Sequence, residues 1–421
     1  MKMFGLGVLW SLSLAGCDLG EALKGEDPAG TPSVSGDAPA VEWHVGYGTL
    51  NGEHVHEGMQ TSDGGYIGVG QTDDGDMSDF LVVKVSEDGE EEWQLSAGQS
   101  GAFDFGIAVA EAADGFVIAG GLTVEGKHQP ALMKLDADGE LLWQEVYSDA
   151  GYGALRGVEI LDDGSIIATG YTDESEAGFL FIAEGNGLLL KTSAGGEELW
   201  RQSLSISQGA KVRSLADGGF AIGTTEWTES DVENAVIVRT DASGEELWSR
   251  SYGGENTVQA FDMTLDAAGG FVLTGHTTGY GAENWDCIAI AVDEDGAERW
   301  STRFGQPRGF SGRYIHDECY GIQQDTDGGF IVAGGTGDEY GEYSSCSDDY
   351  GCSDEWKSYV VRLSAAGEVL WQAVYGGVDE GNNAAEYIGL TADGGYIIFS
   401  DTDEMATGDS NSFGFMKLSA D

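Results

Sequence analysis

CYGIQQDTDGGFIVAGG (319–335) and YVVRLSAAGEVLWQAVYG (359–376) are the two halves of one unit, and their reading decides the fold. CYGIQQ reads as a short strand. Asp327-Gly328-Gly329 reads as a tight turn, and FIVAGG as the next strand. YVVRLS is a third strand, Ala366-Gly367 marks a second turn, and EVLWQAVYG is a fourth. Both turns carry the glycine that a positive φ demands. The inner strands are almost continuously apolar, which suits sheets covered on both faces.

The unit recurs along the chain. Its closing phrase appears as SEDGEEEW (86–93), DADGELLW (136–143), SAGGEELW (193–200), DASGEELW (241–248), DEDGAERW (293–300) and SAAGEVLW (364–371). A second phrase lies midway: TSDGGYIGVG (61–70), AADGFVIAGG (112–121), LDDGSIIATG (161–170), LADGGFAIGT (215–224), DAAGGFVLTG (266–275), DTDGGFIVAG (325–334) and TADGGYIIFS (391–400). A chain of 421 residues suggests two or three domains on length alone, but a repeat array occupies the same length as one closed unit. With 68 Gly and only 5 Pro, the composition fits many tight turns between short strands.

Counting strands closes the ring. The chain ends at KLSAD421, where the last unit needs its fourth strand, and VEWHVGY (41–47) is a fourth strand with no unit before it. The spacing therefore predicts an all-β, seven-bladed β-propeller over 41–421. Val41–Tyr47 completes the C-terminal blade, and the result is a monomer closed on itself. A linear solenoid would need capping repeats, and none is visible.

The D-x-x-G-E-x-x-W phrase resembles the tryptophan-docking motif of PQQ-like propeller repeats, a resemblance that covers roughly 41–421. It implies that Trp43, Trp93, Trp143, Trp200, Trp248, Trp300 and Trp371 pack between adjacent blades. Quinoprotein dehydrogenases have eight units and a vicinal Cys pair. This chain has seven units and no such pair, so no PQQ site is carried over. The phrase is only loosely similar to the sialidase Asp-box, with a different Asp-Gly spacing.

Residues 1–17, MKMFGLGVLWSLSLAGC, combine Lys2 with a short apolar run, too short to span a bilayer. Leu14-Ala15-Gly16-Cys17 resembles the bacterial lipobox. The resemblance implies a signal peptide at 1–16, lipidation of Cys17 and an address in the bacterial cell envelope outside the cytoplasm. The other reading is an ordinary secretory peptide. Residues 18–40 are rich in Gly, Ala, Asp, Ser and Pro and read as a tether. Membrane contact is expected through the lipid anchor only.

Four Cys remain, an even number in an oxidising compartment. Four Cys allow three pairings; strand order places the starts of the strands carrying Cys287 and Cys319 on one face and favours pairing these two, and Cys346 with Cys352 would close a short ring inside a long loop.

Charge excludes one class of partner. With 74 acidic and 19 basic residues the net is −55, the wrong sign for nucleic acid. The plain reading is a solubilising surface, and the alternative is cation binding. Strand order also separates two faces. The first-to-second and third-to-fourth turns are short and uniform, whereas the other connections are long and variable, and function favours such loops. The longest is GDEYGEYSSCSDDYGCSDEWK (337–357). Its acids, with Asp401, Asp403 and Asp409 and then Asp73, Asp74, Asp76 and Asp79, belong to neighbouring blades and read as one acidic sector. Hard oxygens suit Ca2+, with Asp338, Asp348, Asp349 and Asp354 as candidate ligands, although no loop has EF-hand spacing. The other reading is a solvated rim.

His54, His56 and His316 are expected in loops and His276 at a strand end, without converging on a metal. His44, beside a docking Trp, reads as structural. Tyr280, Trp285, Phe310, Tyr340, Tyr343, Tyr350 and Trp356 are loop aromatics, either stacking on ligands or packing the rim. No G-x-S-x-G elbow, H-E-x-x-H, P-loop or Rossmann fingerprint is present. The sequence thus points to a non-catalytic, envelope-anchored binding or scaffold protein that meets a protein, glycan or cation on the loop face. The alternative is a hydrolase or lyase at the central pocket, which would show convergent polar groups with strongly shifted pKa values. A third reading, by analogy with some PQQ-like propellers, is an assembly-factor lipoprotein.

Overall fold

The computed structural model describes residues 38–49, 51–73, 77–98, 101–147, 150–175, 182–228, 232–282, 285–305, 316–337, 356–376, 382–403 and 411–420. The signal and lipidation readings at 1–17, including Cys17, lie outside this set. No described helix is long and apolar enough to cross a membrane.

The described chain is built of strands. β1 (Val41–Tyr47) comes first. Blade 1 is β2 (Glu53–Gln60), β3 (Tyr66–Asp73), β4 (Ser78–Val85) and β5 (Glu91–Ala97). Blade 2 is β6 (Phe105–Ala112), β7 (Gly115–Val124), β8 (Lys127–Leu135) and β9 (Leu141–Val146). Blade 3 is β10 (Tyr152–Ile160), β11 (Ile166–Glu174), β12 (Asn186–Thr192) and β13 (Glu198–Ser203). Blade 4 is β14 (Lys211–Ser214), β15 (Phe220–Trp227), β16 (Glu233–Thr240) and β17 (Glu246–Tyr252). Blade 5 is β18 (Val258–Leu265), β19 (Phe271–Thr277), β20 (Asp286–Val292) and β21 (Glu298–Phe304). Blade 6 is β22 (His316–Gln324), β23 (Phe330–Gly337), β24 (Trp356–Leu363) and β25 (Val369–Tyr375). β26 (Asn383–Leu390), β27 (Tyr396–Thr402) and β28 (Ser412–Leu418) end the chain.

Six sheets run in chain order, and the seventh runs β1-β28-β27-β26. β1 lies antiparallel to β28, with Val45 opposite Phe415 and Tyr47 opposite Phe413. The backbone continues this seam: Ser419 N–H donates to the Ala40 carbonyl at 2.9 Å. The seven first strands touch in sequence, and β26 returns to β2, so the ring is closed. Second and third strands are buried along almost their whole length, as both faces of each blade are covered by neighbours.

The docking Trp residues work through glycine. The Trp43 ring covers the third turn of blade 1, where Gly89 has φ 80° and a Cβ would come within 3.0 Å of the indole. Trp93 treats Gly139 of blade 2 in the same way, at 2.7 Å, and its Nε1 donates to the Ala137 carbonyl at 3.0 Å. Any side chain there would both strain the backbone and displace the ring. The pattern repeats for Trp143, Trp200, Trp248 and Trp300 on Gly196, Gly244, Gly296 and Gly367. At the seventh joint the chain termini replace the turn, and Trp371 packs in a cluster with Ala38.

Two further contacts repeat. Tyr47, Tyr147 and Tyr252 each stand four residues after a docking Trp and donate to the turn carbonyls of Gly89, Gly196 and Gly296 at 2.7, 2.7 and 2.9 Å. Tyr375 donates instead to Pro39, at 2.9 Å, across the seam. Buried cations on third strands hold the first turns: Lys84 with Asp63 at 3.2 Å, Lys134 with Asp114 at 2.6 Å and Lys417 with Asp393 at 2.9 Å. Arg239 with Asp217 and Arg362 with Asp327 are the guanidinium versions.

The docking joint makes a graded prediction. Trp248→Ala should lower unfolding free energy by about 3 kcal/mol, through lost burial and a cavity between blades. Tyr252→Phe should cost about 1 kcal/mol for its single hydrogen bond. Leu247→Ala, at a side chain 59% exposed, should change it by less than about 0.5 kcal/mol. Chemical denaturation monitored by tryptophan fluorescence would rank the three.

Candidate functional site at the central channel and loop face

The axis is lined by one irregularity repeated in six of the seven blades, all but blade 4. A register shift interrupts the first strand between Val55 and Glu57, Gly106 and Ala108, Leu155 and Gly157, Ala260 and Asp262, Cys319 and Gly321, and Ala385 and Tyr387. A bulge inserts one residue and re-aims its side chain. The inserted residues are His56, Ile107, Arg156, Phe261, Tyr320 and Glu386. With Ala210 just before β14, they line the axial cavity together with Glu57, Lys211 and Tyr387.

That cavity is only about 60 Å³, small beside the roughly 300–1,000 Å³ of ligand pockets. Side chains crossing the axis are the reason. Lys211 of blade 4 forms an ion pair with Glu57 of blade 1, which stands across the ring. Its ammonium also lies 3.7 Å from Asp262 and 4.8 Å from the Tyr387 ring centre. Arg213 adds contacts of 3.5 Å to both Glu159 and Asp262. Burial works against the Lys211 charge, but Glu57, Tyr387 and Asp262 outweigh it and raise its pKa.

Toward the loop face the chemistry changes. His54 Nδ1 lies 2.5 Å from Asp401 Oδ2, while Asp401 Oδ1 accepts the Val55 N–H at 2.9 Å. Burial would lower the His54 pKa, but the Asp401 charge and hydrogen bond, with Glu386 and Asp73, push it up to about 9. Glu386 is pushed well above the usual carboxylate range by burial first, then by the charges of Asp401 and Glu318. His56 meets His54 edge-on, with ring centres 4.4 Å apart, and burial drives its pKa well down. On the far side, His276 bonds Gln259 at 2.7 Å, stacks on Phe261 and is lowered to about 3 by burial.

Several sequence expectations are corrected. His54, His56 and His316 are strand residues, because the first strands start earlier than the sequence pattern shows. The histidines lie in two separate pairs, His54 with His56 and His276 in the field of His316. Asp401 is no loop residue. It lies in β27, 3% exposed, turned inward on His54, while Asp73 ends β3 exposed. Trp356 is buried, and Trp285 packs edge-on against His276. His44 sits in β1 opposite Met416, and burial lowers its pKa to about 4.

Cys287 and Cys319 form a disulfide that joins the third strand of blade 5 to the first strand of blade 6. Cys346, Cys352 and the Ca2+ candidates Asp338, Asp348, Asp349 and Asp354 lie outside the described residues. The described loop face carries two exposed aromatics on adjacent blades, Trp227 at 49% and Tyr280 at 37%. Tyr280, Asp173 and Glu125 hold positive φ values of 54°, 57° and 53° on this face, a conformation that non-glycine residues seldom adopt. Trp227 and the bulge residues other than His56 escaped sequence reading. Aligning the six bulged first strands would have shown six unlike side chains at one position of otherwise similar repeats.

No protein-family model matches the chain, and no curated protein matches it. The fold is similar to solved propellers. The WD40 β-propeller domain of Doa1 is 10% identical with a TM-score of 0.55, and the match covers 90% of this chain and 97% of that one. YCF48 bound to D1 peptide is 9% identical with a TM-score of 0.51, covering 91% and 100%. At these identities the likeness establishes the β-propeller alone.

Two predictions follow from the channel. Lys211→Met should destabilise by about 3–5 kcal/mol by leaving buried carboxylates unpaired, and adding Glu57→Gln should restore part of that loss in thermal unfolding. His54 has a folded pKa above its unfolded value, so its protonation stabilises fully below pH about 6.5 and fades as pH rises through 9. His54→Gln should therefore cost roughly 2 kcal/mol near pH 6.5, and the deficit should vanish above pH about 9. Denaturant midpoints measured across that range would check both the size and the sign.

Proposed function

We propose that this protein is an envelope-anchored, non-catalytic binding or scaffold propeller whose loop face receives an extended segment of a partner protein. The asymmetry of the two faces carries the reading. One face is a set of short, near-identical turns, whereas the other bears variable connections with exposed Trp227 and Tyr280 on adjacent blades. Exposed aromatic anchors set in a polar surround are the usual energetic centres of protein interfaces. The solved propeller YCF48, similar in fold, is bound to a peptide.

Chain direction supports the anchored arrangement. β1 enters from the turn face, because it runs as a fourth strand from that face toward the loops. A tether from a lipidated Cys17 would join the propeller there. The loop face would then point away from the membrane. The acidic surface, in this reading, keeps the propeller soluble and selects against acidic partners.

The enzyme reading also has an observation in its favour. His54, Glu386 and Asp401 converge at the channel mouth, where His54 and Glu386 have raised pKa values. The cavity volume, about 60 Å³ and small beside ordinary ligand pockets, weighs against it.

A displayed library of random linear peptides, selected on the immobilised full chain, tests the binding reading. Selected peptides should lose at least tenfold in affinity to Trp227→Ala or Tyr280→Ala and none to Leu247→Ala on the outer edge. Selection of no peptide, or equal binding to all three variants, would count against the loop face.

A further inference from the structure

The channel mouth brings together three side chains that the propeller scaffold does not require. His54 Nδ1 and one carboxylate oxygen each from Glu386 and Asp401 lie within 4.8 Å of one another. They come from adjacent blades: His54 from β2, Glu386 from β26 and Asp401 from β27. We propose that this trio binds one divalent transition-metal cation of the Zn2+ class.

The donor set selects the metal. One imidazole nitrogen with two carboxylate oxygens matches Zn2+ and its first-row neighbours, whereas Ca2+ and Mg2+ prefer oxygen alone. The site is thus chemically distinct from the all-carboxylate Ca2+ set read in the 338–354 loop.

The surroundings look built for a ligand. Asp401 Oδ1 is held by the Val55 N–H at 2.9 Å, the outer-shell contact that orients a metal-binding carboxylate. Glu386 is 9% exposed and faces the cavity, and its carboxyl makes no hydrogen bond among the described residues. A buried carboxyl without a partner is costly, and a bound cation would offset that cost. Next to His54, the buried His56 Nε2 lacks a well-aligned hydrogen bond, as does the Gln71 side-chain oxygen.

Charge favours a cation as well. Asp73 and Glu318 add negative field at His54 and Glu386, while Arg156 opposes at His56. Ligand atoms about 2.1 Å from a shared Zn2+ stand roughly 3.4 Å apart in a tetrahedron. His54 Nδ1 and Asp401 Oδ2, at 2.5 Å, would therefore separate slightly as Glu386 draws in. The adjoining cavity of about 60 Å³ has room for a water ligand.

The test is independent of any partner at the loop face. The full chain, freed of metal by chelator and then of chelator, is titrated calorimetrically with Zn2+ in excess Ca2+, which saturates the acidic surface. One equivalent of Zn2+ per chain is expected. His54→Gln and Glu386→Gln should each weaken it by more than the roughly 10–100-fold typical of outer-shell changes. Asp136→Asn, in a turn on the opposite face, should leave it unchanged. Co2+ added to the wild-type chain should give the strong visible bands of a four- or five-coordinate site and lose them to Zn2+, a readout that needs no variant to fold. Zn2+ uptake abolished by Ca2+, uptake unaltered in both ligand variants, or a Co2+ spectrum like that of the hydrated ion would overturn the proposal.

Discussion

Everything in this molecule depends on an indole lying over a glycine of the next blade. A four-stranded blade leaves two apolar faces open and has no stability of its own. The docking contact fixes the distance and angle at which one blade covers another, and only glycine permits it, because the ring occupies the space of a Cβ. Six joints repeat this contact, and the Tyr four residues on reinforces three of them. The seventh is assembled from both chain termini: Trp371 meets Ala38, and Tyr375 bonds Pro39. The ring is therefore only as closed as the β1–β28 pairing, which holds the earliest and latest described strands together.

The extreme acidity has a structural counterpart. Several of the 19 basic residues are not on the surface at all. Lys84, Lys134, Arg239, Arg362 and Lys417 are buried in third strands, each tying down the aspartate of a first turn. Lys211 and Arg213 are spent at the axis. The aspartates held by the third-strand cations are mostly exposed, so these cations neutralise part of the acidic turn surface from beneath. Basic side chains thus serve two separate places, the turns of one face and the axis of the ring.

The channel divides by depth. At the level of Lys211 it is a salt-linked plug, in which opposite charges from opposite blades neutralise each other. Nearer the loop face, His54, Glu386 and Asp401 form a cluster with more acid than base. Salt-linked side chains below and the acid-rich cluster above thus divide one axis between two kinds of chemistry.

Much was legible in the chain. Period, strand order, the closing role of Val41–Tyr47, the docking Trp residues and the Cys287–Cys319 pair all rest on local signals: apolar runs, Asp-Gly turns and the parity of strands. These survive because each blade obeys the same short-range rules. The functional centre obeys a different rule. A bulge shifts the alternation of side chains by one residue, so His56 or Glu386 cannot be assigned to the axis from strand periodicity. His54 and Asp401 lie 347 positions apart and meet only because the ring closes. Long-range closure and a local break in alternation carry no pattern along the chain, which is why the fold could be read residue by residue while its centre had to be seen in three dimensions.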